Sequence, residues 1–312
     1  MLVSIITPCF NEEENIIECI ERVAKVFSNE LEEYEYEHIF IDNFSDDKTF
    51  SILQKQSKNN NNLKILRNAK NVGAFKSMFA ALKHSSGDFV LIQLPADMQD
   101  PPEFIPNLIN EILKDDVEIV YGVRKNRNEN ILTTFFRNLF YSLINKFSSL
   151  NLPNGAGEFC LVTRKIVNIL IESKEKEPFL RTMIIQTGYK SSFLDFDWQK
   201  RLKGKSKVNF IKNFDIAINA FISVSKRPTR FVTILGFSVS FISMIYGLVT
   251  LFLNLLYPSN TDPGIPTLIV FLFFFSGVQF LILGIIGEYV FSTYRHVKSE
   301  VDHQIIDKIN FD

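Results

Sequence analysis

Two long stretches without a charged side chain constrain this sequence more than anything else in it. Phe231 to Thr261 carries none, Asp262 interrupts, and Pro263 to Gly287 again carries none. Each exceeds the roughly 20 residues that an α-helix needs to cross a bilayer core. The second holds Leu268 to Phe275 as an unbroken apolar run, followed by Leu281, Ile282 and Leu283. At about −0.3 to −0.6 kcal/mol per such residue near a helix centre, insertion is favoured by several kcal/mol. A buried core helix shares this composition, but two in tandem predict a transmembrane hairpin over residues 231–292. Lys200, Arg201, Lys203, Lys205, Lys207, Lys212, Lys226, Arg227 and Arg230 precede the first span, and Arg295, His296 and Lys298 follow the second. The link from Tyr257 to Pro266 has no Lys or Arg. The positive-inside rule therefore predicts both termini in the cytoplasm.

Whole-chain averages hide this segregation. The 34 Lys and Arg nearly cancel the 35 Asp and Glu, so no basic field for nucleic acid is expected. The apolar start, Leu2 to Thr7, is short and runs into Glu12, Glu13 and Glu14, unlike a signal peptide. Cys9, Cys19 and Cys160 are odd in number and scattered, so free thiols are expected. None of the four histidines has metal-ligand spacing.

Ahead of the hairpin, strand and helix signals alternate. Strands are expected at Leu2–Thr7, His38–Ile41, Leu63–Leu66, Phe89–Leu94 and Val117–Tyr121. Helices are expected at about Glu12–Phe27, Lys48–Gln56, Gly73–Lys83 and Pro102–Lys114. Such alternation predicts a parallel sheet covered on both faces, with ligands at the carboxyl ends of its strands. Those ends are Pro8 to Glu12, Asp42 to Asp46 and Pro95 to Asp100. Ile131 to Phe147 is amphipathic at helical period, and Val208 to Val224 more weakly so. Core packing explains that pattern, as does a helix at the membrane interface; the Phe content and adjoining spans favour the interface.

Asp97 at a strand end, with the Gln99 amide two residues on, offers oxygen ligands to a hard cation such as Mg²⁺. The competing expectation is a plain strand–helix turn with Asp100 as N-cap. Asp42 could accept hydrogen bonds from a ribose or base edge, while Ser45 or Asp46 could simply cap the next helix.

The order of these segments resembles the family 2 glycosyltransferases, and within them the polyprenyl-phosphate branch of dolichol-phosphate mannose synthases and GtrB-type glucosyltransferases. Thr7 to Asn15 matches V-P-x-x-N-E-E-x-N, and Asp42 to Thr49 matches D-D-G-S-x-D-x-T. Arg67, Asn68, Asn71 and Gly73 echo R-N-x-G. Pro95 to Glu103 matches D-A-D-L-Q-D-P-P-E, Gly122 and Arg124 match G-x-R, and Arg201, Gly204, Ser206 and Lys207 match R-x-x-G-x-S-K. The resemblance implies an α/β fold: a GT-A (Rossmann-like) parallel-sheet catalytic domain over residues 1–207, with an amphipathic interface helix at 130–150. A juxtamembrane helix at 208–230, the two-helix hairpin at 231–292 and a cytoplasmic tail at 293–312 would follow.

It implies that Pro8, Glu12 and Asp42 line the nucleotide pocket, and that Asp97 and Gln99 hold Mg²⁺ or Mn²⁺ on the donor diphosphate. Arg124 and Arg137 would hold the lipid phosphate, and Arg201, Lys205 and Lys207 would close over the diphosphate. Glu158, Phe159 and Arg181 resemble further elements of the branch. The implied activity is inverting transfer from a nucleotide sugar, UDP-linked, to undecaprenyl phosphate at the cytoplasmic membrane, by a homotetramer. Two departures stand out. Pro95 replaces the first Asp of D-A-D and can bind neither a metal nor a ribose hydroxyl. Asn43 and Phe44 replace Asp-Gly, removing one negative charge. Three other functions fit the same features: a membrane-anchored protein that binds nucleotide sugar without turnover, a processive polysaccharide synthase, and a transferase using a lipid-linked donor. The Q-x-x-R-W element of such synthases is missing; Trp198 is the only Trp.

Overall fold

A computed structural model describes residues 1–114, 116–125, 156–173, 178–199, 265–297 and 304–311, with isolated helical positions between 238 and 256. The described chain falls into two units, one containing 1–145, 150–213 and 299–312, the other 146–149 and 214–298.

The first unit is an eight-stranded sheet. Its strands are β1 (Leu2–Cys9), β2 (Glu35–Asp42), β3 (Leu63–Asn68), β4 (Phe89–Leu91), β5 (Ile119–Lys125), β6 (Ala156–Thr163), β7 (Ser191–Asp197) and β8 (Ile305–Ile309). They lie in the order β7-β5-β6-β4-β1-β2-β3-β8. β3, β2, β1 and β4 are mutually parallel, as expected, and β7 is parallel to β5. The sheet is nevertheless mixed, because β6 runs antiparallel to both β4 and β5, and β8 antiparallel to β3. Residues 305–309, expected in a cytoplasmic tail, thus form an edge strand. Asn310, at φ 60°, fixes it by donating from Nδ2 to the carbonyls of Ser57, Asn60 and Leu63.

The inner strands read as continuous apolar runs because they are buried on both faces; Val3, Ile5, Ile6, Ile39, Phe40, Ile41, Ile65 and Leu66 are all at or near zero exposure. Helix α1 (Ile16–Glu30) buries Ile16, Cys19, Ile20, Val23, Val26 and Phe27, a stripe at 3.6-residue period. Helices α2 (Thr49–Ser57), α3 (Ala74–Leu82), α4 (Ile105–Lys114), α5 (Arg164–Glu172) and α6 (Leu180–Gln186) complete the described layers. The three cysteines are buried free thiols, and burial raises the pKa of each. β5 runs four residues beyond its expected end, so Gly122 and Arg124 lie within the strand. A Cβ on Gly122 would come within 2.5 Å of the Phe159 ring and 2.9 Å of the Phe196 ring. Only glycine lets those aromatics close over the strand.

In the second unit, α7 (Ile265–Val297) has 33 residues, about 50 Å at 1.5 Å per residue. Its segment Phe274–Phe291 has a mean hydropathy of 1.7 and no buried residue; Leu268 and Phe280 are 66% and 74% exposed. Among the described residues this is the one helix long and apolar enough to cross a membrane. Of the first expected span, only Ser238, Phe241, Ile242, Ile245, Val249, Phe252 and Leu256 are described, all helical and exposed. The amphipathic segments at 131–147 and 208–224 lie outside the described residues.

Candidate active site

The loops after β1 and β2 are built as one piece. The Asn11 N–H donates to Ser45 Oγ, and the Asp46 N–H donates back to Asn11 Oδ1. The Glu12 N–H donates to Thr49 Oγ1, the Glu13 N–H to Asp47 Oδ2 and the Lys48 N–H to Glu13 Oε2. Motif residues that look like independent helix caps therefore bind each other across the crevice. The first N–H of α2 is met by Asp47 Oδ1 at 2.9 Å, not by Ser45 or Asp46. These residues serve the loop pair instead.

Three non-glycine residues with positive φ sit in the loops that follow β1, β2 and β4: Asn11 (54°), Phe44 (63°) and Met98 (59°). Asn tolerates this region; Phe and Met enter it at a cost of about 1 kcal/mol or more each. Phe44 occupies the place of the glycine in D-D-G-S and keeps the left-handed backbone that a glycine would adopt freely. Its side chain is 40% exposed. The Arg67 guanidinium lies 5.4 Å from its ring and 4.2 Å from that of Phe50.

Between these loops lies a cleft of about 140 Å³ lined by Pro8, Cys9, Phe10, Glu12, Asn43, Ala74, Gln93, Pro95, Ala96 and Asp97. It brings together three of the expected residues: Pro8, Glu12 and Asp97. A larger hollow of about 730 Å³ lies beside Leu2, Glu35 and Lys64, at the other ends of the strands, and holds none of the motif residues.

Asp42 does not line this cleft. It is fully buried, accepts from the Ser45 N–H at 3.1 Å and lies 3.2 Å from Arg67 Nε. Burial pushes its pKa up despite Ser45 and Arg67. Its neighbour Asn43 takes the cleft position. Asn43 Oδ1 accepts from the Val72 N–H at 2.9 Å and from Asn68 Nδ2, while its Nδ2 donates to Asn71 Oδ1 at 2.9 Å.

Asp97 Oδ1 accepts the Gln99 N–H at 3.2 Å. The Gln99 carbonyl accepts the Gln199 N–H at 3.0 Å, but Gln99 is not part of the cleft lining. Residues 93, 95 and 97 are partly exposed while 92, 94, 96 and 98 are buried. Strand-like alternation thus turns Gln93, Pro95 and Asp97 toward the cleft. The alternation is readable in the sequence, and it adds Gln93, which lies ahead of the motif, to the candidate residues.

Arg124 is bound by Asp100. Nε donates to Oδ1 at 2.6 Å and Nη2 to Oδ2 at 2.5 Å. Asp100 is therefore not the N-cap expected from sequence; Pro101 precedes the short 3₁₀ turn at Pro102–Phe104. Alongside, Arg181 Nη2 donates to Glu158 Oε2 at 2.8 Å. Burial works against the charge on Glu158, but Arg181 and Arg124 hold its pKa below the usual carboxylate range. Arg137, Arg201, Lys205 and Lys207 lie outside the described residues.

Among the described residues, no three His, Cys, Asp or Glu side chains cluster as a metal cage. Mg²⁺ sites in phosphate chemistry commonly use one or two protein oxygens and complete the shell with substrate phosphate and water. Asp97, one of two carboxylates lining the cleft with Glu12 and set on a loop that carries the Gln99 oxygen as well, fits that pattern.

The family model for glycosyl transferase family 2 matches residues 4–170. An uncharacterised glycosyltransferase of Synechocystis sp. is 31% identical over 305 residues, covering 97% of this chain and 94% of its own. The SfII prophage-derived bactoprenol glucosyl transferase of Shigella flexneri is 32% identical over 300 residues, 96% of each chain. Glucosyl-3-phosphoglycerate synthase from Mycobacterium tuberculosis, solved with Mn²⁺, uridine-diphosphate-glucose and phosphoglyceric acid, superposes with a TM-score of 0.50 at 16% identity. The match covers 71% of this chain and 77% of that one, and shows a shared GT-A-like fold. With its sheet, its strand-end cleft and these relatives, the chain belongs to glycosyl transferase family 2 and is a glycosyltransferase.

Proposed function

We propose that the chain transfers one sugar from a nucleotide sugar, UDP-linked, to a polyprenyl phosphate at the cytoplasmic face of a membrane, with inversion at the sugar C1. The observation that carries this is coverage: the similarity to a bactoprenol glucosyl transferase spans 96% of both chains, apolar C-terminal part included.

The chemistry suits the residues. A lipid monophosphate, with a second pKa near 6, is largely dianionic at pH 7 and is already a nucleophile. It needs no Ser/His or Cys/His pair; the protein must hold two anions together and stabilise the departing nucleotide diphosphate. In our reading, Pro8, Glu12 and Asn43 shape the donor site, with Asp42 behind it holding the β2 loop. Gln93 supplies a neutral amide where Pro95 has removed a carboxylate. Asp97, with Gln99, would hold Mg²⁺ or Mn²⁺. Such a cation supplies Lewis-acid stabilisation of the leaving diphosphate. Arg124 and Arg137 receive the acceptor phosphate, since a guanidinium fork matches its oxygens. Arg201, Lys205 and Lys207 close over the diphosphate. The exposed apolar surface of α7 supports a membrane span, and the charge-free 231–261 segment supports a second. The domain boundaries follow from this: a catalytic domain at 1–207, a juxtamembrane segment at 208–230 and a hairpin at 231–292. A homotetramer accords with the GtrB resemblance.

The test is incubation of the purified protein with Mn²⁺ or Mg²⁺, undecaprenyl phosphate and a panel of radiolabelled nucleotide sugars. Label in the organic phase with one donor is expected; none with any donor refutes the proposal. Pro95 in the cleft wall favours a second reading, a binder without turnover, which predicts nucleotide-sugar binding in that assay with no lipid product.

A further inference from the structure

The residues at the far end of the Asp97 loop form an alternating charge chain: Asp100, Arg124, Glu158, Arg181. Asp100 has no exposed surface, and Arg124 is 21% exposed. The second pair is 2.8 Å apart and nearly as enclosed. The opposite charges of Arg124 and Glu158 favour each other's ionised forms. The four elements joined are the loop after β4, β5, β6 and α6. Asp100 uses two of the five N–H bonds of Arg124, through Nε and Nη2, so three remain for another anion. A bidentate pair also fixes the plane of the guanidinium, which a single hydrogen bond does not. Asp100 follows Gln99 directly and Asp97 by three residues, so the guanidinium is tied to the cation-binding loop by a very short run of backbone.

We propose that Asp100 is a positioning residue for the acceptor: by clamping Arg124 it sets the direction of the three remaining N–H bonds toward the acceptor phosphate. This rests on the sugar-transfer reading above and adds a residue to it. The Asp100 carboxylate touches neither substrate. Its effect passes through Arg124.

The test uses the full-length protein in detergent, with three readouts: UDP–Mn²⁺ affinity by titration, undecaprenyl phosphate affinity, and transfer kinetics. Asp100→Asn is expected to leave UDP–Mn²⁺ affinity within about 2-fold and to weaken undecaprenyl phosphate binding, and raise its KM, by about 10-fold or more. Arg124→Lys, which keeps the charge but loses the fork, is expected to do the same. The double variant should be no worse than either single one, because both remove the same clamp. If Asp100→Asn does not fold, Asp100→Glu keeps the charge but displaces the guanidinium, and the same acceptor-selective loss is expected. Equal loss of donor and acceptor affinity, unchanged acceptor affinity, or additive effects in the double variant overturns the proposal. A wild type that binds both ligands without transfer refutes the sugar-transfer reading alone; one that binds no undecaprenyl phosphate refutes both.

Discussion

Replacing Asn43 by aspartate restores the second carboxylate of the D-D-G-S pattern, and the network around it says what that costs. Two backbone N–H groups fix the orientation of the amides: Val72 N–H donates to Asn43 Oδ1, and Gly73 N–H donates to Asn71 Oδ1. Asn43 Nδ2 is therefore the group that faces Asn71 Oδ1 at 2.9 Å. An aspartate would set two oxygens against each other there. Flipping Asn71 would relieve that contact but turn its NH₂ toward the Gly73 N–H. Either way one hydrogen bond is lost, the partly buried one to Asn43 or the exposed one to Gly73, about 0.5–1.5 kcal/mol. The new charge would also sit beside Asp42, whose pKa burial already raises. We expect Asn43→Asp to destabilise the protein by about 1 kcal/mol, lowering the unfolding temperature by about 2–4 °C for a domain of this size. Thermal unfolding of the purified variant in detergent, followed by circular dichroism above pH 7, measures this. An unchanged or raised unfolding temperature would refute the argument that Asn43 is an amide for reasons of hydrogen bonding.

Three further outcomes are expected. Asp97→Asn should lower transfer by roughly 100-fold or more and weaken Mn²⁺-dependent donor binding; unchanged metal dependence would remove Asp97 from the cation site. His38 is buried against Phe40 and bonded to Thr7 Oγ1 at 2.8 Å, and burial pushes its pKa from 6.5 down to about 3. The unfolded chain therefore takes up a proton between those values that the folded protein refuses, so stability falls as pH falls below 6.5. Between about pH 7.5 and about pH 5 the loss is about 2 kcal/mol. His38→Phe should shrink the drop in unfolding temperature over that interval by about 4–8 °C, and an identical pH dependence in both proteins would contradict a neutral buried His38. Asn310→Ala should cost about 1–2 kcal/mol through lost hydrogen bonds and a strained left-handed backbone. Protease accessibility of β8 measures this, with Asn310→Gly retaining the backbone conformation; equal resistance in all three proteins would show that Asn310 does not fix the strand.

The first five strands and four helices were legible because each is local: Leu2 to Thr7 and His38 to Ile41 are apolar runs, and α1 repeats at 3.6 residues. Their ends were displaced where pairing overrides pattern, as when β5 continues through Gly122 and Arg124 because β7 hydrogen-bonds to it as far as Lys125. β8 was unreadable because Ile305–Ile309 is a strand only by virtue of the β3 edge, which lies more than 230 residues earlier. At the site, Pro8, Glu12 and Asp97 were legible from motif order, and the cleft joins them. The occupation of Arg124 by Asp100 was not, since a strand-end Asp before two prolines reads as a cap. The burial of Asp42 was likewise hidden, because a carboxylate at a strand end suggests a ligand contact whether it faces the cleft or supports the loop.

The most direct test of the account is the mass of the lipid product. After incubation of the wild-type protein with undecaprenyl phosphate, a divalent cation and its preferred nucleotide sugar, the account predicts one species heavier than the acceptor by a single sugar residue. The label should be acid-labile and missing with Asp97→Ala. Unmodified lipid with free sugar released, or a ladder of repeating sugar masses, would contradict it.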